Sequence, residues 1–173
     1  PSAPPTLSDT ISSDAALPMH QSLLNARYIY QYLKNHGWSD NAIFGALGNM
    51  EDESYINPGQ LEDANPTPQG GYGLVQWTPS TKYTESSQAG TTPGSIKNQL
   101  DRIIYEANNE IDWNSSLHSP AISYASFKTS TLSAETLSEY FTRCYERPGQ
   151  LNICVPRRKT NATKWYTIFD ELS

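Results

Sequence analysis

The sequence predicts a mainly α-helical domain (α+β in the sense that one small β-hairpin is added). Three observations carry this prediction. Five segments repeat apolar residues at three- and four-residue steps, capping residues or helix breakers stand at most of their ends, and one long polar loop lies between the second and third segments. With 173 residues, of which 36% are hydrophobic, the chain is long enough to bury the core of one domain.

The first two helices follow each other closely. The first is predicted at about 21–36 and ends before Gly37, a residue favoured just after a helix. The second begins after Ser39, a good N-cap, because the serine hydroxyl accepts a hydrogen bond from the first turn. It ends near Ser54, since Pro58 forbids its continuation.

Three further helices are predicted in the second half of the chain. One covers about 95–109, one runs from the N-cap Ser133 until Pro148 stops it, and one covers about 158–170. Between the second and third helices, residues 56–72 contain three prolines and three glycines, and long loops of this kind are often functional. The apolar segment 73–77 after the loop is a strand or a helical turn, so the β-hairpin is predicted near 60–78.

Composition excludes several classes of protein. The net charge is −6, and the only basic cluster, at 157–159, is interpreted as a helix start or a solvated face, so no nucleic-acid partner is expected. No apolar stretch is long enough for a membrane span. Neither a metal-ligand spacing nor a phosphate-binding loop is present, so no metal and no cofactor are predicted. Residues 1–18, with four prolines, are expected to be a flexible linker or lead-in to a domain at 19–173, cut from a longer chain with other domains.

The acidic run Glu51-Asp52-Glu53 is the strongest candidate for chemistry. It lies at the C-terminal end of the second helix, where the helix dipole disfavours negative charge, and adjacent like charges raise each other's pKa. At about 100° per residue Asp52 points away from the apolar stripe, whereas Glu53 follows Met50 by three residues and can rest against the core. A carboxyl group with a raised pKa serves as a general acid near neutral pH. The alternative is a solvated helix end.

The sequence after Glu53 resembles two motifs shared by goose-type lysozymes and lytic transglycosylases. One is a Glu-Ser pair followed by Asn-Pro, here within 53–58, and the other is a Gly-Leu-Met-Gln segment, here Gly-Leu-Val-Gln within 71–79. The likeness is closer to the phage tail lysozyme family, which are peptidoglycan hydrolases of phage tail tips, and it extends over about 25–170.

The resemblance implies a lysozyme-like helical fold and a muramidase that acts outside the cell on the glycan strands of the bacterial wall. It would cleave the MurNAc–GlcNAc β-1,4 bond with Glu53 as general acid. By the same resemblance, Gln76 is expected to bind the sugar through its side-chain amide, and Tyr72 and Trp77 are expected to stack on the sugar rings. The alternative for the two aromatic residues is packing in the core. The resemblance also leaves open a lytic transglycosylase, a non-catalytic wall-binding module and a chitinase-like enzyme.

One pair of residues, Tyr145-Glu146, departs from the family pattern. Tyr145 stands where lytic transglycosylases carry a Tyr-Asn motif, but Glu146 replaces the asparagine, which leaves Tyr145 as a candidate substrate-binding residue of uncertain role. Glu146 is expected instead to be a structural partner of Arg143 or Arg147.

Hydrolysis with inversion needs a second carboxylate about 6.5–9.5 Å from the acid, to activate a water molecule. Glu62 and Asp63, in the loop between the motifs, are the candidates, with solvated loop acids as the alternative. A lytic transglycosylase needs no such group, because the 6-hydroxyl of the sugar attacks. An extracellular target also favours a disulfide between Cys144 and Cys154, with two buried thiols as the alternative.

Overall fold

The structure is a computed structural model and describes residues 3–15, 17–62 and 67–172. The described residues are mainly helical, as predicted. Their α-helices, in chain order, are α1 (Met19–Asn35), α2 (Asp40–Ser54), α3 (Thr81–Thr84), α4 (Ile96–Asn109), α5 (Tyr124–Thr129), α6 (Ala134–Tyr140) and α7 (Leu151–Leu172). Short 3-10 helices cover Leu7–Asp9 and Ser115–Leu117, and a π-helical segment, Phe141–Glu146, directly continues α6.

The predicted N-cap and the predicted end of α2 are confirmed. The hydroxyl of Ser39 accepts a hydrogen bond from the backbone N–H of Ala42. At the other end Tyr55 adopts a left-handed conformation with φ of 56°, which turns the chain out of the helix. Glu53 therefore lies in the last turn of α2, two residues before this left-handed turn.

Helix α2 is the central element of the domain, and two of its glycines let other helices approach closely. A Cβ atom on Gly48 would lie 2.6 Å from the backbone oxygen of Arg158, and one on Gly45 would lie 2.8 Å from the backbone nitrogen of Ser138. Helices α7 and α6 therefore pack directly on the α2 backbone. Because α7 crosses α2 here, it also covers the acidic end of α2.

Three helical features differ from the prediction. The fourth predicted helix changes to π-helical geometry at Phe141 instead of remaining α-helical to its end. Helix α7 starts at Leu151, with Pro156 inside it, whereas the prediction placed its start after that proline. Proline has no N–H, so Pro156 leaves the carbonyl of Asn152 without its helical hydrogen bond. This is tolerated because Asn152 is an exposed residue of the first turn, where water can reach the carbonyl. Short α3 and α5 were not predicted.

The predicted β-hairpin is wrong. In place of paired strands, the described part of 60–78 has two isolated antiparallel bridges, Leu61 with Tyr72 and Tyr72 with Trp77. The chain turns too tightly for a ladder, since Gly73 and Gln76 both adopt positive φ, of 85° and 53°. The segment is a compact pair of turns that holds the 60–62 and 71–78 stretches together.

The second half of the predicted lead-in contacts the domain. The side-chain amide of Asn25 bonds to both the N–H and the carbonyl of Ile11, and that of Asn57 does the same for Ser13. Asn57, which belongs to the motif that begins at Glu53, therefore holds the N-terminal stretch against the domain. A domain boundary at 18/19 stays a prediction. None of the helices formed by the described residues is both long enough and apolar enough to cross a bilayer.

Candidate active site

A cleft of about 490 Å³ opens at the C-terminal end of α2. One wall comes from the 60–62 and 75–78 stretches, and the other from Asp112 and the end of the π-helical segment. The cleft brings together most of the predicted site residues: Glu53, Glu62, Gln76, Trp77 and Tyr145. Residues far apart in sequence therefore share one solvent-open groove.

Glu53 lies at the base of this cleft. Its side chain is 18% exposed, and its Oε1 accepts a hydrogen bond of 2.5 Å from Nη2 of Arg158. Burial raises the pKa of Glu53, and the Arg158 guanidinium opposes part of that rise. Glu53 is thus a partly buried carboxyl group that favours its protonated form more than a solvated glutamate does, which is the property required of a general acid.

Arg158 is the main positioning group for Glu53. Its side chain is 3% exposed, its Nε donates to Asp52 at 2.7 Å, and its Nη1 donates to Oδ1 of Asn49 at 2.8 Å. Asn49 is itself fixed by the hydroxyl of Thr142 at 2.9 Å. The interpretation of the 157–159 cluster as a helix start or solvated face is therefore wrong for Arg158, because α7 continues N-terminal to it and buries it against α2.

Helix α7 also supplies partners to the other two acids of the run. Glu51 accepts hydrogen bonds from Lys164 at 2.6 Å and from the indole of Trp165 at 2.8 Å. Asp52, whose side chain is only 9% exposed, is paired with Arg157 and with Arg158. Glu53 alone among the three lines the cleft.

A buried carboxyl group orients the two aromatic residues of the cleft. Glu106 is fully buried on α4, and it accepts hydrogen bonds from the hydroxyl of Tyr145 at 2.6 Å and from the indole N–H of Trp77 at 3.2 Å. Burial raises the pKa of Glu106 to about 7. Trp77 also stacks on Tyr83, with ring centroids 4.4 Å apart. Both cleft aromatics are largely buried, so each combines core packing with one edge at the groove.

The two remaining predicted sugar contacts differ in position. Gln76 lines the cleft, and its Nε2 donates to the carbonyls of Gln60 and Gly73, so its nitrogen helps to hold the turns. Tyr72 lies instead in a neighbouring cavity of about 350 Å³, beyond Leu61 and Glu62. The structure therefore does not place Tyr72 beside Glu53.

The candidates for a second carboxylate lie on the loop wall. Glu62 is exposed at the cleft, where its Oε2 accepts a hydrogen bond of 2.9 Å from the backbone N–H of Gly71. Asp63 lies outside the described residues. Within the described ranges no group of three or more His, Cys, Asp or Glu residues is arranged to hold a metal ion.

The expected role of Glu146 is wrong. Arg143 pairs with Glu139 at 2.7 Å, and Arg147 donates to the backbone oxygen of Asp112 at 2.6 Å, so both arginines have other partners. Glu146 lines the same cleft as Glu53, and its buried Oε1 has no hydrogen-bond partner among the described residues. Burial, and next the charge of Glu53, raise the pKa of Glu146 well above its ordinary value.

The predicted disulfide does not form. Cys144 and Cys154 are both free and buried. Cys144 is fully enclosed in the core from the π-helical segment, while Cys154 lies on α7 beside the guanidinium of Arg157. Burial raises the pKa of the Cys144 thiol to about 11, which fits an unreactive core residue.

Comparisons with known proteins show the family to which the chain belongs. The phage tail lysozyme family matches residues 24–169 of the chain. Morphogenesis protein 1 of Bacillus phage B103 is 40% identical over 159 residues, which are 90% of this chain and 42% of that relative. The chain thus spans less than half the length of this curated relative. It belongs to the phage tail lysozyme family, whose lysozyme-like domains have a peptidoglycan-lytic function.

Proposed function

We propose that this domain is a muramidase that hydrolyses the MurNAc–GlcNAc β-1,4 bond of peptidoglycan, with Glu53 as general acid. The observation that carries the proposal is the position of Glu53, a partly buried carboxyl with a raised pKa at the base of an open cleft. The family supports the substrate class. The site of action would be the bacterial wall, outside the cytoplasm.

The chemistry of the glycosidic bond assigns a task to each group. The bridging oxygen needs a proton as it leaves, and Glu53 would donate it. The sugar carbon then carries positive charge and is attacked by a nucleophile. Trp77 and Tyr145 would contact the glycan strand through their groove-facing edges, and Gln76 would offer its amide oxygen. Tyr72, in the neighbouring cavity, would contact the strand only if it extends beyond Leu61.

The nucleophilic water requires a carboxylate on the opposite face of the sugar. Glu146 fits this task poorly, because burial raises its pKa well above the ordinary value and so favours the protonated form, which cannot act as a base. Glu62 fits better because it lies on the loop wall of the same cleft and its carboxylate is held by the Gly71 N–H. Asp63 is the second candidate for the same role.

Digestion of purified peptidoglycan followed by mass spectrometry tests the hydrolytic step. We expect fragments that end in reducing MurNAc, because water attacks the sugar. Fragments that end only in 1,6-anhydro-MurNAc, lighter by one water, would contradict hydrolysis and identify a lytic transglycosylase. Under hydrolysis, Glu62→Gln should lower kcat by about 10²-fold if this carboxylate activates the water. Glu85→Gln, an exposed acid outside the cleft, is the matched control.

A further inference from the structure

Glu106 connects the two walls of the cleft, although it is not among the residues that line it. The hydroxyl of Tyr145, on the wall formed by the π-helical segment, donates to Oε1 of Glu106 at 2.6 Å. The indole N–H of Trp77, on the loop wall, donates to Oε2 at 3.2 Å. Glu106 itself is anchored on α4, where Ile103 and Ala107 are fully buried. The separation of the two walls therefore depends on one carboxyl group.

Two aromatic donors hold this carboxyl group in place, Tyr145 and Trp77. Arg102, one turn earlier on α4, brings a positive charge, but its Nε lies 3.6 Å from Oε2 of Glu106, which is too long for a hydrogen bond. That buried Nε has no hydrogen-bond partner among the described residues, and Nη1 of Arg102 donates instead to Gln88 at 3.2 Å. The position of the Glu106 carboxyl group is thus coupled most tightly to the two cleft aromatics.

The other titratable groups around Glu106 are two acids and a tyrosine. Tyr124 of α5 is fully buried, and its hydroxyl has no hydrogen-bond partner in the described ranges. Glu146 and Asp112 add negative charge near Glu106. Asp112 is in turn paired with two cations of the cleft, Lys82 and Arg147. Within the part of the chain that the structure describes, the cation that faces Glu106 directly is therefore Arg102.

Ionisation of Glu106 strengthens both of its hydrogen bonds, because a carboxylate has only acceptor oxygens and charge-assisted hydrogen bonds are the stronger kind. Burial raises the pKa of Glu106 to about 7, and the hydrogen bond from Tyr145, the charge of Arg102 and the hydrogen bond from Trp77 oppose that rise. The two donors therefore favour the ionised form. As the pH falls through about 7, Glu106 takes up a proton and the connection between the walls weakens.

We propose that Glu106 is a positioning residue that holds the two walls of the cleft at the separation a glycan strand requires, and that its protonation weakens glycan binding. The proposal rests on the proposed function for the identity of the ligand. Glu106 acts through Tyr145 and Trp77 and does not touch the reacting atoms. It therefore supports binding of the substrate and of the transition state alike, so its loss raises KM and leaves kcat nearly unchanged.

Glu106→Gln tests the positioning role at pH 8, where Glu106 is ionised. The amide has nearly the shape of the carboxylate, but its NH₂ group faces one of the two donors, which then loses its acceptor. With a soluble GlcNAc–MurNAc oligosaccharide as substrate, KM should rise about 5- to 10-fold while kcat stays within a factor of about three. Glu85→Gln, an exposed acid outside the cleft, is the control. An unchanged KM, or a loss confined to kcat, would overturn the proposal.

Binding without cleavage tests the pH dependence. In the Glu53→Gln domain, calorimetric titration with the same oligosaccharide should give a Kd at least about 3-fold weaker at pH 5.5 than at pH 8. Adding Glu106→Gln should remove that difference. The same pH difference in the double variant would overturn the proposal.

A further variant keeps the test valid if Glu106→Gln does not fold. Tyr145→Phe retains the carboxyl group but removes its shorter hydrogen bond, so the pH difference in Kd should shrink. An undiminished difference would again count against the proposal. If Glu53→Gln retains lysis, the proposed function fails. If Glu53→Gln is inactive but the pH difference persists without Glu106, only the role of Glu106 fails.

Discussion

Glu53→Gln is expected to lower the rate of peptidoglycan lysis by about 10²- to 10⁴-fold while leaving the fold intact. The amide has nearly the shape of the carboxyl group, and its oxygen can still accept the Arg158 hydrogen bond, but it has no acidic proton to give the bridging oxygen. Turbidity loss of purified wall suspensions measures the rate. Circular dichroism and the unfolding midpoint check that the variant is folded.

Glu51→Gln is the matched control for this variant. It lies two residues away on the same helix, but it bonds to Lys164 and Trp165 and does not line the cleft. We expect it to retain near-normal lysis. A rate for Glu53→Gln above about a tenth of wild type, which corresponds to less than ~1.4 kcal/mol of barrier, would show that Glu53 is not the acid.

Arg158→Met is expected to destabilise the domain by about 3 kcal/mol or more, because it leaves Asp52 and Glu53 beside α7 without their buried cation. It also leaves Asn49 without its guanidinium donor. The free energy of unfolding in urea measures the loss. Removing the cation should also raise the pKa of Glu53, since the nearby positive charge is what opposes the effect of burial.

Arg157→Met provides the comparison for that variant. Arg157 pairs with the same Asp52, but its side chain is 53% exposed, so its loss should cost only about 0–1 kcal/mol. Equal losses from the two variants would show that burial of the Arg158 guanidinium does not matter. A change in the slope of the unfolding curve for either variant would mean that its denatured state had changed instead.

Local rules were enough to predict the helix that carries Glu53. The Ser39 cap and the apolar stripe after it set where α2 begins, and Pro58 bounded its end. The same periodicity predicted that Glu53 would flank the core. It could not predict that Asp52, on the side away from the stripe, would be covered, because that depends on α7 packing over Gly48.

Two site residues that the sequence did not predict, Arg158 and Glu106, are charged residues on the buried faces of their helices. Arg158 precedes Ala162 by four residues and Trp165 by seven, which is the spacing of the buried side of α7, but Pro156 suggested a later helix start. Glu106 follows Ile103 by three residues on the stripe of α4. Only the tertiary structure shows that each residue has hydrogen-bond partners, which offset the free-energy cost of burying its charged side chain.

Other errors come from interactions between distant segments. The 60–78 turns resemble a hairpin in composition, but the positive φ of Gln76, a non-glycine residue, was not readable from the sequence. Proximity in sequence predicts that Glu146 pairs with the neighbouring arginines, whereas the structure places it in the lining of the cleft, at the end of the π-helical segment. The spacing of Cys144 and Cys154 permitted a disulfide, but both thiols are free.

The most direct test of a muramidase centred on Glu53 is to identify which bond is cut. Purified peptidoglycan is incubated with the wild-type domain and, as the blank, with Glu53→Gln, and the new ends are identified by mass spectrometry after the products are separated. We expect new reducing ends at C1 of MurNAc that appear with the wild-type domain and not with the variant. New reducing ends on GlcNAc, cleaved peptide cross-links, or MurNAc ends produced equally by Glu53→Gln would contradict it.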